Sequence, residues 1–255
     1  MKQLFRKIFS SKSVIGVFER LSGTKVLTNP PLGFSPILDL KYYINTHLWK
    51  KFIIFDVGAN IGQTALVYRK EFPQAEIHSY EPVKSTFQEL SVNTASKNIF
   101  CHNLALGGIS EYKKIHIYNS SDYNSFLLTE KDHASASTEM VTMLTFDDFC
   151  LDKNISAVNY LKVDTEGYDL EVLKGATNSL TQHKIDFVET EISLNPTNTS
   201  HVDLHAMINY MNGFDYLLFG IYEQHFDYVL KKPVLRRGNL VFISPVIYND
   251  KTMYD

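Results

Sequence analysis

The run Phe52-Ile53-Ile54-Phe55-Asp56-Val57-Gly58-Ala59-Asn60-Ile61-Gly62-Gln63-Thr64 leaves few folds open: an apolar stretch ends in a carboxylate, turns through two glycines and enters a helix. A continuous apolar run suits a strand buried on both faces of a parallel sheet. The glycine turn behind it lets backbone approach a ligand at the strand's carboxyl end. Glu76 to Tyr80 reads as a second strand, closed by Glu81 and Pro82. An acidic residue there is placed to hold the two hydroxyls of a ribose. With no ligand, two carboxylates at consecutive strand ends would be costly to keep.

The glycine spacing discriminates between two nucleotide cofactors. A dinucleotide fingerprint, G-x-G-x-x-G, needs its second glycine to admit the pyrophosphate; this chain has Asn60 at that point. The Asn60 side chain would crowd a diphosphate but can hydrogen-bond an amino acid moiety, and Asp56 can accept from an ammonium group. Both suit S-adenosylmethionine, whose polar end is a zwitterion. The expected cofactor contacts are Asp56, Gly58, Asn60, Gly62, Gln63, Thr64 and Glu81, with Asp164 from a later strand.

With 255 residues, 44 % of them hydrophobic, the chain can bury one substantial core. From residue 52 strand-like and helix-like segments alternate, which argues βαβ units and a mostly parallel sheet. The strands are expected at 52–57, 76–80, 99–105, 161–164 and 185–192, and the helices at 63–71, 84–93, 168–180 and 202–211. Lys113 to Tyr118 and Met140 to Leu144 alternate like the arms of an inserted β-hairpin, around a polar stretch long enough to be functional. Two closing strands, 216–221 and 240–244, have no helix between them and are expected to pair antiparallel at one edge. Residues 1–45 read as a basic amphipathic helical extension, with Lys2, Arg6, Lys7, Lys12, Arg20 and Lys25 against the single acid Glu19 in the first 25; residues 46–248 read as the catalytic domain. The extension either packs on the core or makes peripheral contact with an anionic membrane.

A net charge of −3 provides no global field for nucleic acid, so nucleic-acid partners are excluded. Cys101 and Cys150 lack metal-ligand spacing and are too few for a disulfide framework, which agrees with a reducing compartment, the cytoplasm by default. No run approaches the ~18 apolar residues of a membrane span.

The other unusual stretch is Tyr160-Leu161-Lys162-Val163-Asp164-Thr165-Glu166-Gly167. Strand alternation puts Lys162 and Asp164 on one face of a strand that ought to be central and buried. Asp164 would face the first glycine turn, near the methyl-bearing end of the cofactor; the plainer reading is a buried Lys–Asp pair that fixes the sheet. Asp169, in the first turn of the next helix, reads as a cap.

Asp56-Val57-Gly58-Ala59-Asn60-Ile61-Gly62, Tyr80-Glu81-Pro82, and Leu161 to Asp169 followed by Val172-Leu173-Lys174-Gly175-Ala176 together resemble the FkbM family of S-adenosylmethionine-dependent methyltransferases over roughly residues 50–245. The K-x-D-x-E-G segment with the downstream V-L-K-G-A narrows the resemblance to this family. It implies an α/β, Rossmann-like three-layer sandwich, a seven-stranded mostly parallel sheet with an antiparallel last strand, and O-methylation of a hydroxyl on a sugar, glycan or small natural product. N-methylation and an inactive cofactor-binding accessory role are the alternatives.

An alcohol acceptor must lose its proton, so a base within hydrogen-bond reach is expected. Asp164 comes first and Glu166 next. Glu189 and its neighbour Glu191 share a face at a strand end bordering the crevice, and His225 lies where an acceptor loop would be. His102 flanks the adenine or packs. Arg236 and Arg237 either meet an anionic acceptor or lie on the surface. No metal is assigned, although Asp164, Glu166 and Glu189 would suit a hard cation such as Mg²⁺ if they converged.

Overall fold

The computed structural model describes residues 31–43, 51–127, 137–227 and 231–253. The chain forms α1 (Pro36–Tyr43), β1 (Ile53–Val57), α2 (Gln63–Glu71), β2 (Glu76–Tyr80), α3 (Lys84–Asn93), β3 (Ile99–His102), β4 (Ala105–Leu106) and β5 (Glu111–Ile117). After a 3-10 turn at Ser121–Tyr123 come β6 (Ser137–Leu144), α4 (Phe146–Asp152), β7 (Val158–Val163), α5 (Asp169–Lys174), α6 (Thr177–Thr181) and β8 (Ile185–Ser193). The chain continues with β9 (Val202–Asp203), α7 (Leu204–Asn212), β10 (Leu217–Asp227), β11 (Lys232–Ile243) and α8 (Pro245–Asn249).

Seven strands lie in the order β10-β11-β8-β7-β1-β2-β3, with β9 attached to β8. β1, β2, β3, β7 and β8 pair parallel, whereas β11 is antiparallel to both its neighbours. The apolar runs explain the centre: every residue of β1 and of β7 is buried, as strands covered on both faces require. On one face α1, α2 and α8 pack Leu40, Tyr68 and Ile247 against Ile54, Ile77, Tyr160 and Phe187. On the other, α4 to α7 pack Phe149, Leu173, Leu180 and Met207 against Phe55, Leu161, Val188 and Phe242. Each such fully buried side chain contributes roughly 1.5–3 kcal/mol. The result is the expected three-layer α/β sandwich.

Residues 1–30, the basic half of the expected extension, lie outside the described residues. α1 belongs to the core: it buries Leu40, and Asp39 accepts hydrogen bonds from Gly33 N–H at 2.6 Å and from the Tyr222 hydroxyl at 3.1 Å.

The insertion is a three-stranded sheet rather than a hairpin, ordered β4-β6-β5 with β4 parallel to β6. Its third strand is the end of the expected 99–105 strand. The chain leaves the large sheet after His102, where the Asn103 amide donates to the carbonyls of Glu81 and Pro82. The expected helix at 168–180 breaks at Gly175, a position that only glycine fits, since a β carbon there would lie 2.0 Å from the Gly107 carbonyl oxygen. The second piece is capped from outside by Asp147, which accepts from the Asn178 and Ser179 N–H groups. α4 has no counterpart in the sequence reading, although its signal was present: Thr145 accepts from Asp148 N–H as an N-cap. Much of 223–238, read as a connection, is strand in β10 and β11.

Gly58 follows β1 at φ 82°, and a β carbon there would lie 1.9 Å from the Asp164 carbonyl oxygen. Gly58→Ala is therefore expected to cost about 2–4 kcal/mol in urea unfolding; an unchanged midpoint would show that β1 and β7 do not approach so closely at their ends.

Candidate active site

Three strand ends are laced together by backbone. The N–H groups of Gly58 and Ala59 donate to the Tyr80 carbonyl at 3.1 and 2.9 Å, and Asp164 N–H donates to the Val57 carbonyl at 3.0 Å. Asn60 takes φ 47° and Gly62 φ 94°, which turns the chain into α2. A cleft opens over these ends. One wall is the turn, with Gly58, Asn60, Gln63 and Thr64; the next is Tyr80, Glu81 and Pro82; a third is Lys162, Asp164, Thr165 and Glu166. The inserted sheet adds the apolar Ala105, Leu106 and Ile115.

The fourth side was missed at the level of individual residues. Ser121, Asp122, Asn124, Ser125 and Phe126 come from the polar stretch between β5 and β6 and line the same cleft. The Asn60 amide donates to Asp122 at 2.6 Å, and the Ser125 hydroxyl donates to the Glu166 carbonyl at 2.9 Å. Only the length and polarity of the stretch signalled this.

The acids differ in character. Glu81 is buried and accepts from Val83 N–H at 2.9 Å; burial pushes its carboxyl up to about 7. Asp164 leaves 38 % of its side chain exposed and accepts from the Lys162 ammonium at 2.8 Å. Burial would raise its carboxyl, but Lys162 overrides this and holds it below the usual carboxylate range. Glu166, at φ 50°, is pushed up to about 8 by burial and by the neighbouring charges of Glu191, Asp164 and Asp169.

Four expected residues stand elsewhere. Gly62 begins α2 without lining the cleft. Asp56 lies behind the wall, fully buried, opposite Lys162 across the β1–β7 pairing. Neither of its oxygens has a hydrogen-bond donor among the described residues, and burial, moderated by Lys162, pushes it up to about 6. Glu189 is held by the Tyr160 hydroxyl at 2.6 Å and the Asn239 amide at 2.9 Å, facing the buried side of the sheet. His225 is exposed on the edge strand β10, which occupies the place of the expected acceptor loop.

Other candidates are also resolved by their contacts. His102 lies behind the cleft, its ring 4.9 Å from that of Tyr80, and burial lowers it to about 4. Arg237 pairs with Glu191 and Arg236 lies 3.9 Å from Asp227, so both guanidinium groups have internal acids. Asp169 is a buried crosslink rather than the expected cap: Tyr168 holds the N-cap position of α5, and Asp169 accepts from the Thr165 and Thr190 hydroxyls at 3.0 and 3.1 Å. The carboxylates that approach a common point are Glu166 and Glu191, joined by His201, and not Asp164, Glu166 and Glu189.

Lys162 is the cation facing Asp56, Asp164 and Glu189. Burial alone would lower its ammonium, yet these carboxylates raise it above the ordinary lysine value. Lys162→Met is expected to cost about 3–5 kcal/mol, because it leaves buried acids uncompensated. The deficit should grow between pH 5 and pH 8. Burial pushes Asp56 up to about 6 from its ordinary value of 3.8, so in the wild type its cost to stability rises between those values and then levels off, whereas losing Lys162 raises the carboxyl further and carries the rise on to higher pH. Denaturant melts at the two pH values check this.

Comparison with known proteins agrees with the geometry. Residues 56–218 match the family described as the Methyltransferase FkbM domain. "Methyltransferase 1" of Beauveria bassiana is 29 % identical over 142 residues, covering 48 % of this chain and 57 % of that protein. "Hexuronic acid methyltransferase AglP" of Haloferax volcanii is 27 % identical over 162 residues, covering 62 % of this chain and 63 % of that protein. The chain thus spans about three-fifths of the length of these relatives. TrmK of M. capricolum with S-adenosylhomocysteine superposes with a TM-score of 0.46 and 11 % identity over 84 % of this chain and 70 % of that one, too loosely to argue from. No helix among the described residues is long and apolar enough to cross a membrane. With the match running from the glycine turn through β7 and β8 into β10, the chain belongs to the FkbM methyltransferase family, whose methyl donor is S-adenosylmethionine.

Proposed function

We propose that the chain is an S-adenosylmethionine-dependent O-methyltransferase for a hydroxyl of a sugar, glycan or small natural product. The observation that carries this is the charge pattern of the cleft. Among its described lining residues Lys162 is the one cation, already held by Asp164, while Glu81, Asp164 and Glu166 present carboxyl groups. A diphosphate would meet acids there, whereas a nucleoside ending in an ammonium and a sulfonium meets groups of complementary charge. Glu81 is placed to accept from the ribose hydroxyls, and Ala105, Leu106, Ile115 and Phe126 offer apolar surface to the base. Asn60, Gln63 and Thr64 border the amino acid end.

When bound, S-adenosylmethionine supplies a methyl group on a sulfonium, open to in-line displacement by an oxygen. The residues of the chain orient that oxygen and take its proton. Asp164 is ionised and open to the cleft, and it accepts the proton as the carbon–oxygen bond forms. It need not be a strong base, since the hydroxyl becomes acidic only as it is alkylated. The sugar class draws support from the hexuronic acid methyltransferase among the relatives. The direct test supplies labelled cofactor with fractionated glycans and uronic acids. Label in a base-stable ether is expected; label only in a base-labile ester, or on nitrogen, would overturn the reading.

Glu81→Gln should weaken cofactor binding by roughly 1.5–3 kcal/mol in calorimetry. Ribose hydroxyls favour the charged carboxylate, so wild-type affinity should rise with pH up to about 7 and then level off, while the variant stays flat. Unaltered affinity in a folded variant would displace the ribose from Glu81.

Asp164→Asn keeps shape and removes charge. Because Lys162 still faces Asp56 and Glu189, the loss should fall on turnover, at least ~100-fold, with cofactor affinity retained. Thermal melts and single-turnover rates on one preparation decide it; a destabilised but fully active variant would make Asp164 only the partner of Lys162.

A further inference from the structure

Glu166, Glu191 and His201 come from three separate parts of the fold: the turn after β7, the strand β8, and the approach to β9. One carboxylate oxygen from each glutamate and one imidazole nitrogen all lie within 4.8 Å of one another. Donors about a common divalent ion at 2.0–2.2 Å stand up to ~4.4 Å apart, so small side-chain adjustments would bring all three into one coordination sphere. We propose that these three residues form a divalent-cation site at the edge of the cleft beside Asp164.

A second observation points the same way. Glu191 is only 6 % exposed, and its two oxygens are treated differently: Oε1 takes the Arg237 guanidinium, while Oε2, the oxygen toward His201, is buried with no hydrogen-bond donor. His201 Nδ1 stands 3.5 Å from that oxygen, beyond a normal charge-assisted bond. A buried carboxylate oxygen without a donor calls for a positive partner. The local balance leaves room for one: Asp164, Glu166, Asp169 and Glu191 act on one another's charge and outnumber the fixed cations beside them, Lys162 and Arg237.

The donor set chooses the class of ion. Two carboxylates with one imidazole suit a first-row divalent metal such as Mn²⁺ better than Ca²⁺ or Mg²⁺, which prefer oxygen alone. Three protein donors leave further coordination positions for water or an oxygen ligand, and Glu166 itself lines the cleft.

The test is binding of the metal alone, so it does not depend on the methyl-transfer reading. The full chain, stripped with chelator and desalted, is titrated with Mn²⁺ in the absence of cofactor and acceptor, and free Mn²⁺ is followed by its electron paramagnetic resonance signal. One equivalent bound saturably at sub-millimolar concentration is expected, with Glu191→Gln and His201→Gln each weakening it at least about tenfold. Should Glu191→Gln not fold, His201→Gln decides alone. No saturable binding at millimolar Mn²⁺, or binding undiminished in the folded His201→Gln chain, would overturn the site and leave Glu191, Arg237 and His201 as an internal ion-pair network.

Discussion

The ammonium of Lys162 is the interaction on which the sheet and the cleft both depend. Register places Asp56, Lys162 and Glu189 side by side on β1, β7 and β8, so an acid–base–acid row crosses the three central strands. The opposite face at that level is apolar, and a one-residue slip would carry the row there, among Phe55, Leu161 and Val188. A buried charge there would have no partner. The row therefore specifies register where apolar side chains alone would tolerate alternatives, a use of buried ion pairs that does not require them to add net stability.

The same ammonium reaches along its own strand to Asp164, two residues on and at the cleft wall. This keeps Asp164 ionised in a partly buried position where a lone carboxyl would tend to hold its proton. Glu189, two residues before Glu191 on β8, is held by Tyr160 and Asn239 and completes the buried row.

Much of this was legible in residues 52–64, 76–82 and 160–169, because apolar runs, glycines and strand-end acids are local signals. The parallel sheet, the antiparallel β11 and the placement of Glu81 and Asp164 at strand ends follow from them. What was not legible depended on distant contacts. Period-two alternation puts Glu189 and Glu191 on one face but does not say where along that face the cleft begins; the neighbours brought by β7 and β11 decide it. His225 was misplaced because β10 and β11 extend well beyond their apolar cores, turning an expected loop into paired strand. At the break between α5 and α6 Gly175 packs against Gly107, dozens of residues away. Asp122 and Ser125 sit in a stretch with no periodicity at all, and only the folded chain brings them to Asn60 and Glu166.

The lacing of the strand ends has a consequence for catalysis. Gly58 packs its backbone against the Asp164 carbonyl, and Asp164 N–H is bonded to Val57, so the turn expected to hold the methyl donor and the acid expected to receive the proton form one rigid piece. In-line displacement rewards such rigidity, since misplacement of the reacting atoms by about 1 Å can cost 10²-fold in rate. The fourth side of the cleft is built differently: the Ser121–Phe126 stretch pairs with β5 through the His116–Ser125 backbone bonds, and single side-chain hydrogen bonds tie it to Asn60 and Glu166. Substitution of the side chains that this stretch presents to the cleft would therefore leave the backbone lacing of the glycine turn and Asp164 in place.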